Sequence, residues 1–234
     1  MTVERRALAV GDPPYLFPDY RSTALRAPRR ALLRIPYGPT ELTGPVAAAV
    51  RAGGQSAESL AVAADLTRQH AGEPLGERIV VHGRVLDGAG RPLQGALIEI
   101  WQANAAGRYR HERDTHPAPL DPNFSGGGWC VTDAEGRYRF VTVKPGAYPW
   151  QNHPNAWRPA HIHFSLMGWA FSQRLVTQMY FPGDPLLEHD PIWKSIPDRA
   201  ARQQLVAAFD PAETVPEWAL AYRFDVTLGG RGTP

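Results

Sequence analysis

Residues 77–101 read ERIVVHGRVLDGAGRPLQGALIEIW, and the fold class turns on this stretch. ERIVVHGRVLD alternates in the two-residue rhythm of a half-buried strand and runs into Asp87-Gly88-Ala89-Gly90, a hairpin signal. GALIEIW, Gly95 to Trp101, then reads as a second strand. The same strand–turn–strand texture recurs downstream. WCVTD, the turn Ala134-Glu135-Gly136 and RYRFVTV predict a second hairpin, and HIHFSLM, a turn around Gly168 and QRLVTQMYF a third. WALAYRFDVTL closes the chain as a last strand. Strands at this spacing predict a mainly β protein, an antiparallel β-sandwich with long loops inserted between strands.

Composition agrees. The 234 residues include 23 prolines and 22 glycines, which favours a turn-rich β protein over a helical one. A net charge of +2 gives little reason to expect nucleic acid or a membrane surface as partner. The one cysteine, Cys130, excludes an intrachain disulfide and points to a reducing cytoplasm; it reads as a buried strand residue. No apolar run approaches the roughly 18 to 20 residues that a membrane-spanning helix needs, so a soluble, cytoplasmic protein is expected.

Ahead of the strands, residues 1–75 read as an arm with a helical segment. GDPPYLFPDY, RAPRR, RIPYGPT and LTGP break any periodicity up to about residue 45, so this part has no core of its own and is expected to wrap over a domain or a partner. Its arginines, Arg21, Arg26, Arg29 and Arg30, suit a partner-contact surface. Ser56 to Gln69 is a helix candidate with Ser56 or Ser59 as N-cap, and Asp198 to Ala208 is a stronger one, capped by Asp198 with Leu205 and Val206 turned inward. Residues 76–234 then form the sandwich domain.

The chemistry gathers in YPWQNHPNAWRPAHIHF, Tyr148 to Phe164. If HIHFSL is a strand, His161 and His163 project from one face with Ile162 turned away, and their Cα atoms lie about 6 to 7 Å apart, within reach of one metal ion. Tyr148 in PGAYPW and Tyr109 in GRYRH each sit beside glycine or proline turn residues in a long loop, where function is commonly carried. Phenolate is a hard anionic donor that suits a ferric ion. Two imidazoles and two phenolates would leave Fe(III) one positive charge for a bound hydroxide to cancel. Other readings stand beside this one. HIH alone reads as an ordinary strand, the tyrosines as packing lids, and His111, His116 and His153 are rival donors. Arg158 could pair with a carboxylate, and Gln178 could satisfy backbone groups. The Gly126 to Gly128 run is a loop or bulge rather than a phosphate cradle, since no helix with a lysine follows it.

GRYRH, KPGAYPW, NAWRPAHIHFS and TQMYF together resemble the intradiol ring-cleavage dioxygenases, and within them the two-subunit enzymes that act on protocatechuate. The likeness extends to PDYRSTALRAPRRAL, APLDPNFSGGG, FPGDPLL and PIWKSI, and is weakest between Ala52 and Ala64. The resemblance implies a non-haem Fe(III) held by Tyr109, Tyr148, His161 and His163, with O2 as co-substrate. It implies that Tyr148 is the phenolate that leaves the metal and accepts a substrate proton. Arg158 would lie over the substrate ring with Gln178 as its polar partner, and Tyr20, Trp150 and Ile192 would line the pocket. It further implies a homologous α subunit, with this chain as the iron-bearing β member of αβ units. Cleavage of catechol or hydroxyquinol is the nearest alternative, although enzymes of that kind typically carry a helical N-terminal region and this one is broken by prolines. GRVLDGAGRPLQGALIEIW also resembles prealbumin-like binding modules, which speaks of fold rather than function.

Overall fold

A computed structural model describes residues 11–33, 56–150, 157–168 and 174–229. His153, the proline-rich stretch 34–45 and much of the arm lie outside them. The fold is mainly β, as expected, with a few short helices. Strands β1 (Arg78–Asp87), β4 (Arg137–Val143), β9 (Ala208–Phe209), β10 (Leu220–Arg223) and β11 (Val226–Leu228) form one sheet. The second sheet has the order β3-β2-β7-β8, with β2 Leu97–Trp101, β3 Gly127–Val131, β7 His161–Met167 and β8 Arg174–Tyr180. A two-residue ladder joins β5 (Tyr148–Pro149) to β6 (Trp157–Arg158) outside both sheets.

Two of the three expected hairpins are corrected. β1 pairs with β4, β10 and β11, whereas β2 pairs with β3 and β7, so the turn at Asp87–Arg91 and the turn at Asp133–Arg137 each carry the chain from one sheet to the other. Both turns close locally, with Asp87 N–H donating to Arg91 O and Asp133 N–H to Arg137 O. They do not continue as ladders because Ile79, Val81 and Val85 of β1 face Ile98 and Ile100 of β2 across the core instead of lying beside them. The third hairpin, β7 with β8, forms in register from His161↔Tyr180 to Met167↔Arg174.

The closing segment splits into β10 and β11, and both run parallel to β1, so the sandwich is antiparallel except along that edge. At the split, Phe224 N–H donates to His82 O, the Tyr138 hydroxyl donates to Phe224 O, and a Cβ on Gly83 would lie 2.1 Å from that same oxygen. Glycine is required where the crossing chain touches β1.

Helices are short. α1 (Thr23–Arg26) lies in the arm. α2 (Ala57–Ala63) has Ser56 as N-cap, its side chain accepting from Ser59 N–H, and stops short of Gln69 because Leu66 N–H donates to Val141 O and Leu66 is buried against β4. α3 is Pro191–Ser195 and α4 Arg199–Gln203, with a 3₁₀ turn at Leu187–His189. Asp198 caps α4 as expected, but that helix is far shorter than Asp198 to Ala208. From Leu205 the chain extends beside Tyr180, exchanging Tyr180 N–H to Leu205 O and Ala207 N–H to Tyr180 O. Among the described residues, no helix is long and apolar enough to cross a membrane.

The glycine run Gly127-Gly128 belongs to β3, where Gly128 makes room for Leu66 and Ala63. Cys130 on that strand is buried in the core, and burial pushes its thiol up to about 12. A thiol is nucleophilic as thiolate. Native protein at pH 8 should therefore leave a disulfide thiol reagent unconsumed and react only when denaturant is added; prompt native reaction would contradict the burial.

Candidate active site

Ile162, Phe164 and Leu166 of β7 point into the core, so His161 and His163 point the other way, onto the outer face of the second sheet. Cross-strand register sets their neighbours. Tyr180 lies opposite His161, and Gln178 and Trp101 lie on either side of His163. The Trp101 ring stacks on His163 at 4.7 Å, nearly parallel.

Two loops close over this face. In the loop after β2, the Asn104 side-chain oxygen accepts from Ala106 and Arg108 N–H, and Asp114 accepts from Tyr109 N–H at 2.7 Å. Both contacts fix the backbone that presents Tyr109. The second loop is tied to the first, since Gly146 N–H donates to Asn104 O. Gly107, at φ 77, meets Ala147 where a Cβ would be 2.1 Å from its carbonyl oxygen. A left-handed conformation costs a side-chain-bearing residue about 1–2 kcal/mol even without that clash. Gly107→Ala should therefore part the two tyrosine loops and lower the metal bound per chain, measured by elemental analysis; full occupancy would show that the loops need not touch.

The tyrosines and histidines converge. Ring centroids are 5.2 Å apart for Tyr109 and Tyr148, 5.4 Å for Tyr148 and His161, and 4.8 Å for the two histidines. The Tyr109 hydroxyl lies 3.2 Å from His163 Nε2. His161 Nδ1 is 2.7 Å from Pro159 O, so Nδ1 carries the proton and Nε2 faces the cluster with its lone pair. Burial, then Arg158 and His163, hold His161 well below the usual histidine range, and burial and Arg158 bring His163 to about 3. Both imidazoles are neutral at pH 7. Burial, reinforced by Tyr148, raises Tyr109 well above the phenol range, so its ionisation calls for a strong cation nearby. Neutral imidazoles beside two phenol oxygens, hard donors, fit a hard, highly charged metal. Among the described residues no cluster of three His, Cys, Asp or Glu offers a rival site. His111 is exposed, its Nδ1 taken by Arg113 N–H, and His116 lies edge-on to Trp157.

Arg158 is 2% exposed yet makes an extended set of contacts. Opposite Tyr148 in the β5–β6 ladder, its Nη1 reaches the Tyr148 hydroxyl at 3.3 Å and His161 Nε2 at 3.1 Å. Nη2 donates to Gln178 Oε1 and to Asp190 Oδ2, both at 2.7 Å. The expected carboxylate pairing of Arg158 is thus realised together with its place beside Tyr148. Burial opposes its charge, but Tyr180, Asp190 and Tyr148 outweigh that and raise its pKa. The guanidinium also lies over Trp150, 5.0 Å from the ring centre, and Trp150 meets Tyr20 edge-on at 5.1 Å. Gln178 and Ile192 line a cavity of about 520 Å³ whose other wall is the arm, Asp12 to Pro28, which contributes Tyr20. Trp150 and Arg158 connect this cavity to Tyr148 and His161 of the tyrosine–histidine cluster.

Asp190 and Tyr180 carry no role in the sequence reading, and Arg26 enters it only among the arginines of a partner-contact surface. Asp190-Pro191 carries a helix-start signal, and Asp190 does accept from Ile192 N–H, but its bond to Arg158 is a tertiary contact that no local pattern reveals. Arg26 stands over the Tyr20 ring, 4.5 Å from its centre, and lines the cavity.

Residues 53–230 match the family profile described as dioxygenase, and residues 11–37 the one described as the N-terminal region of the protocatechuate 3,4-dioxygenase beta subunit. The protocatechuate 3,4-dioxygenase beta chain of Burkholderia cepacia is 56% identical over 222 residues, 94% of this chain and 91% of that one. Hydroxyquinol 1,2-dioxygenase of Rhizobium sp. (strain MTP-10005) is 34% identical over 59% of this chain, which spans only 47% of that enzyme. Among solved structures, 3-chlorocatechol 1,2-dioxygenase from Rhodococcus opacus 1CP superposes with a TM-score of 0.55 at 26% identity, covering 73% of this chain and 66% of that one.

Proposed function

The chain belongs to the intradiol ring-cleavage dioxygenase family, and on that premise we propose that it is the iron-bearing β subunit of a protocatechuate 3,4-dioxygenase, which with O2 opens protocatechuate to 3-carboxy-cis,cis-muconate. The observation that carries this reading is the convergence of Tyr109, Tyr148, His161 and His163 beside Arg158 and one aromatic-walled cavity. Those four side chains would hold non-haem Fe(III), which supplies the Lewis acidity that activates a bound catecholate towards O2. The protein's own groups do the rest. Tyr148 can take a proton from a substrate hydroxyl. Arg158, charged and dry, stabilises negative charge that develops on the substrate oxygens, and Gln178 adds a hydrogen bond. Tyr20, Trp150 and Ile192 hold the ring between them.

Two features favour protocatechuate over catechol or hydroxyquinol. Arg26 offers a cation in the cavity for a ring carboxylate, which the other two substrates lack. The arm also matches the β-subunit N-terminal family, while the hydroxyquinol relative aligns to little more than half of the chain. A homologous α subunit is the proposed partner. The arm, with Leu25 93% exposed and Leu16 and Leu33 also largely exposed, supports a contact surface there.

The test is the visible spectrum of the purified, iron-loaded protein under anaerobic conditions, with the α subunit present. A tyrosinate-to-Fe(III) band that shifts with protocatechuate, followed by ring opening on admitting air, is expected. A band that responds to catechol alone would move the specificity, and no band at all would overturn the reading.

A further inference from the structure

Asp190 is 0% exposed, and its two oxygens serve different parts of the site. Oδ2 accepts from Arg158 Nη2 at 2.7 Å and from the Tyr180 hydroxyl at 3.0 Å. Oδ1 accepts from Ile192 N–H at 2.9 Å and from Arg158 Nε at 3.4 Å. One carboxylate therefore ties the guanidinium to the first turn of α3, the turn that brings Ile192 to the cavity wall.

The consequence follows from donor geometry. A guanidinium is a rigid fork of five N–H donors. With Nε and Nη2 committed to Asp190, Tyr180 and Gln178, the Nη1 edge is the one left to face Tyr148 and His161. Gln178 is oriented by the same network. Its Oε1 lies 2.7 Å from Arg158 Nη2 and 2.9 Å from the Tyr180 hydroxyl, so the carbonyl end is held inward and the amide hydrogens are left for the cavity.

We infer that Asp190 is a positioning residue, acting through Arg158: it sets which edge of Arg158 and which end of Gln178 meet the substrate, and holds Ile192 in line with them. This rests on the dioxygenase reading above. Asp190 is fully buried and does not line the cavity, so its contribution is made through Arg158 and Gln178, in the transition state where they meet developing charge.

Asp190→Asn keeps the shape and the bond to Ile192 N–H while turning donors towards Arg158 and Tyr180. In the iron-loaded holoenzyme, kcat for protocatechuate should fall about 100-fold, as for a misplaced catalytic group. KM should stay within about threefold, the mark of an interaction made only in the transition state. Iron content and the dissociation constant of 4-hydroxybenzoate, an analogue without the second hydroxyl, read by tryptophan fluorescence, should be unchanged. An unaltered kcat would overturn the inference, as would parallel losses of iron, analogue binding and kcat, which signal general damage. If Asp190→Asn yields no folded protein, Tyr180→Phe decides. It frees Gln178 Oε1 from one of its two anchors at constant bulk, and should lower kcat several-fold with iron and analogue binding intact; an unchanged kcat there overturns the inference. A wild-type protein that fails to open protocatechuate would count against the dioxygenase reading instead.

Discussion

Arg158→Met should lower the free energy of unfolding by about 3–5 kcal/mol, because it strands a buried carboxylate without its counter-charge. Asp190 is fully buried, and the remaining donors to it, Ile192 N–H and the Tyr180 hydroxyl, do not neutralise it. Adding Asp190→Leu should return much of the loss, since a buried ion pair replaced by apolar groups of similar volume is often neutral or better. Urea denaturation of wild type, single and double variants measures both steps. A single variant as stable as wild type would mean that the Arg158–Asp190 contact does not contribute to stability. Activity should not return with stability in the double variant, because the group that stabilises charge on the substrate is absent from it.

His161→Ala should empty the metal site. Loss of an outer partner of a metal ligand typically costs about 10- to 100-fold in affinity, and removal of a ligand held by Pro159 O in one tautomer should cost more. Iron per chain after dialysis, together with the visible band, reports the outcome, and His111→Ala is the control. His111 is exposed and engaged with Arg113 N–H, so its loss should leave iron unchanged. Iron lost from the His111 variant and kept in the His161 variant would reverse the donor assignment.

The strands of this fold are legible in the sequence because alternation is local, and so is the facing of His161 and His163, which follows from the two-residue pleat of β7. Where the strands go is not. Asp87–Arg91 and Asp133–Arg137 use the hydrogen bonds of hairpin turns, yet each leads into the opposite sheet, since turn chemistry fixes the bend and core packing selects the partner strand. α4 ends earlier than its sequence pattern predicts for a related reason. Its helical pattern competes with extended pairing along Tyr180, a neighbour more than twenty positions away. Tyr109 and Tyr148 could be singled out only by likeness to the family; nothing local distinguishes them from tyrosines that close a loop. Asp190-Pro191 marks a helix start locally, but nothing local marks the bond from Asp190 to Arg158, which is tertiary.

The four proposed metal donors differ in how they are held. His161 and His163 stand on β7, paired along both edges by β2 and β8, whereas Tyr109 stands on an irregular loop and Tyr148 on a two-residue ladder, locked together by close contact at Gly107 and Gly146. Seen as an order of assembly, this makes the imidazoles a standing half-site that survives loop opening, and the phenols a late closure. An arriving ion would then meet two imidazoles on a fixed strand, and its release would require the contact between the two tyrosine loops to part.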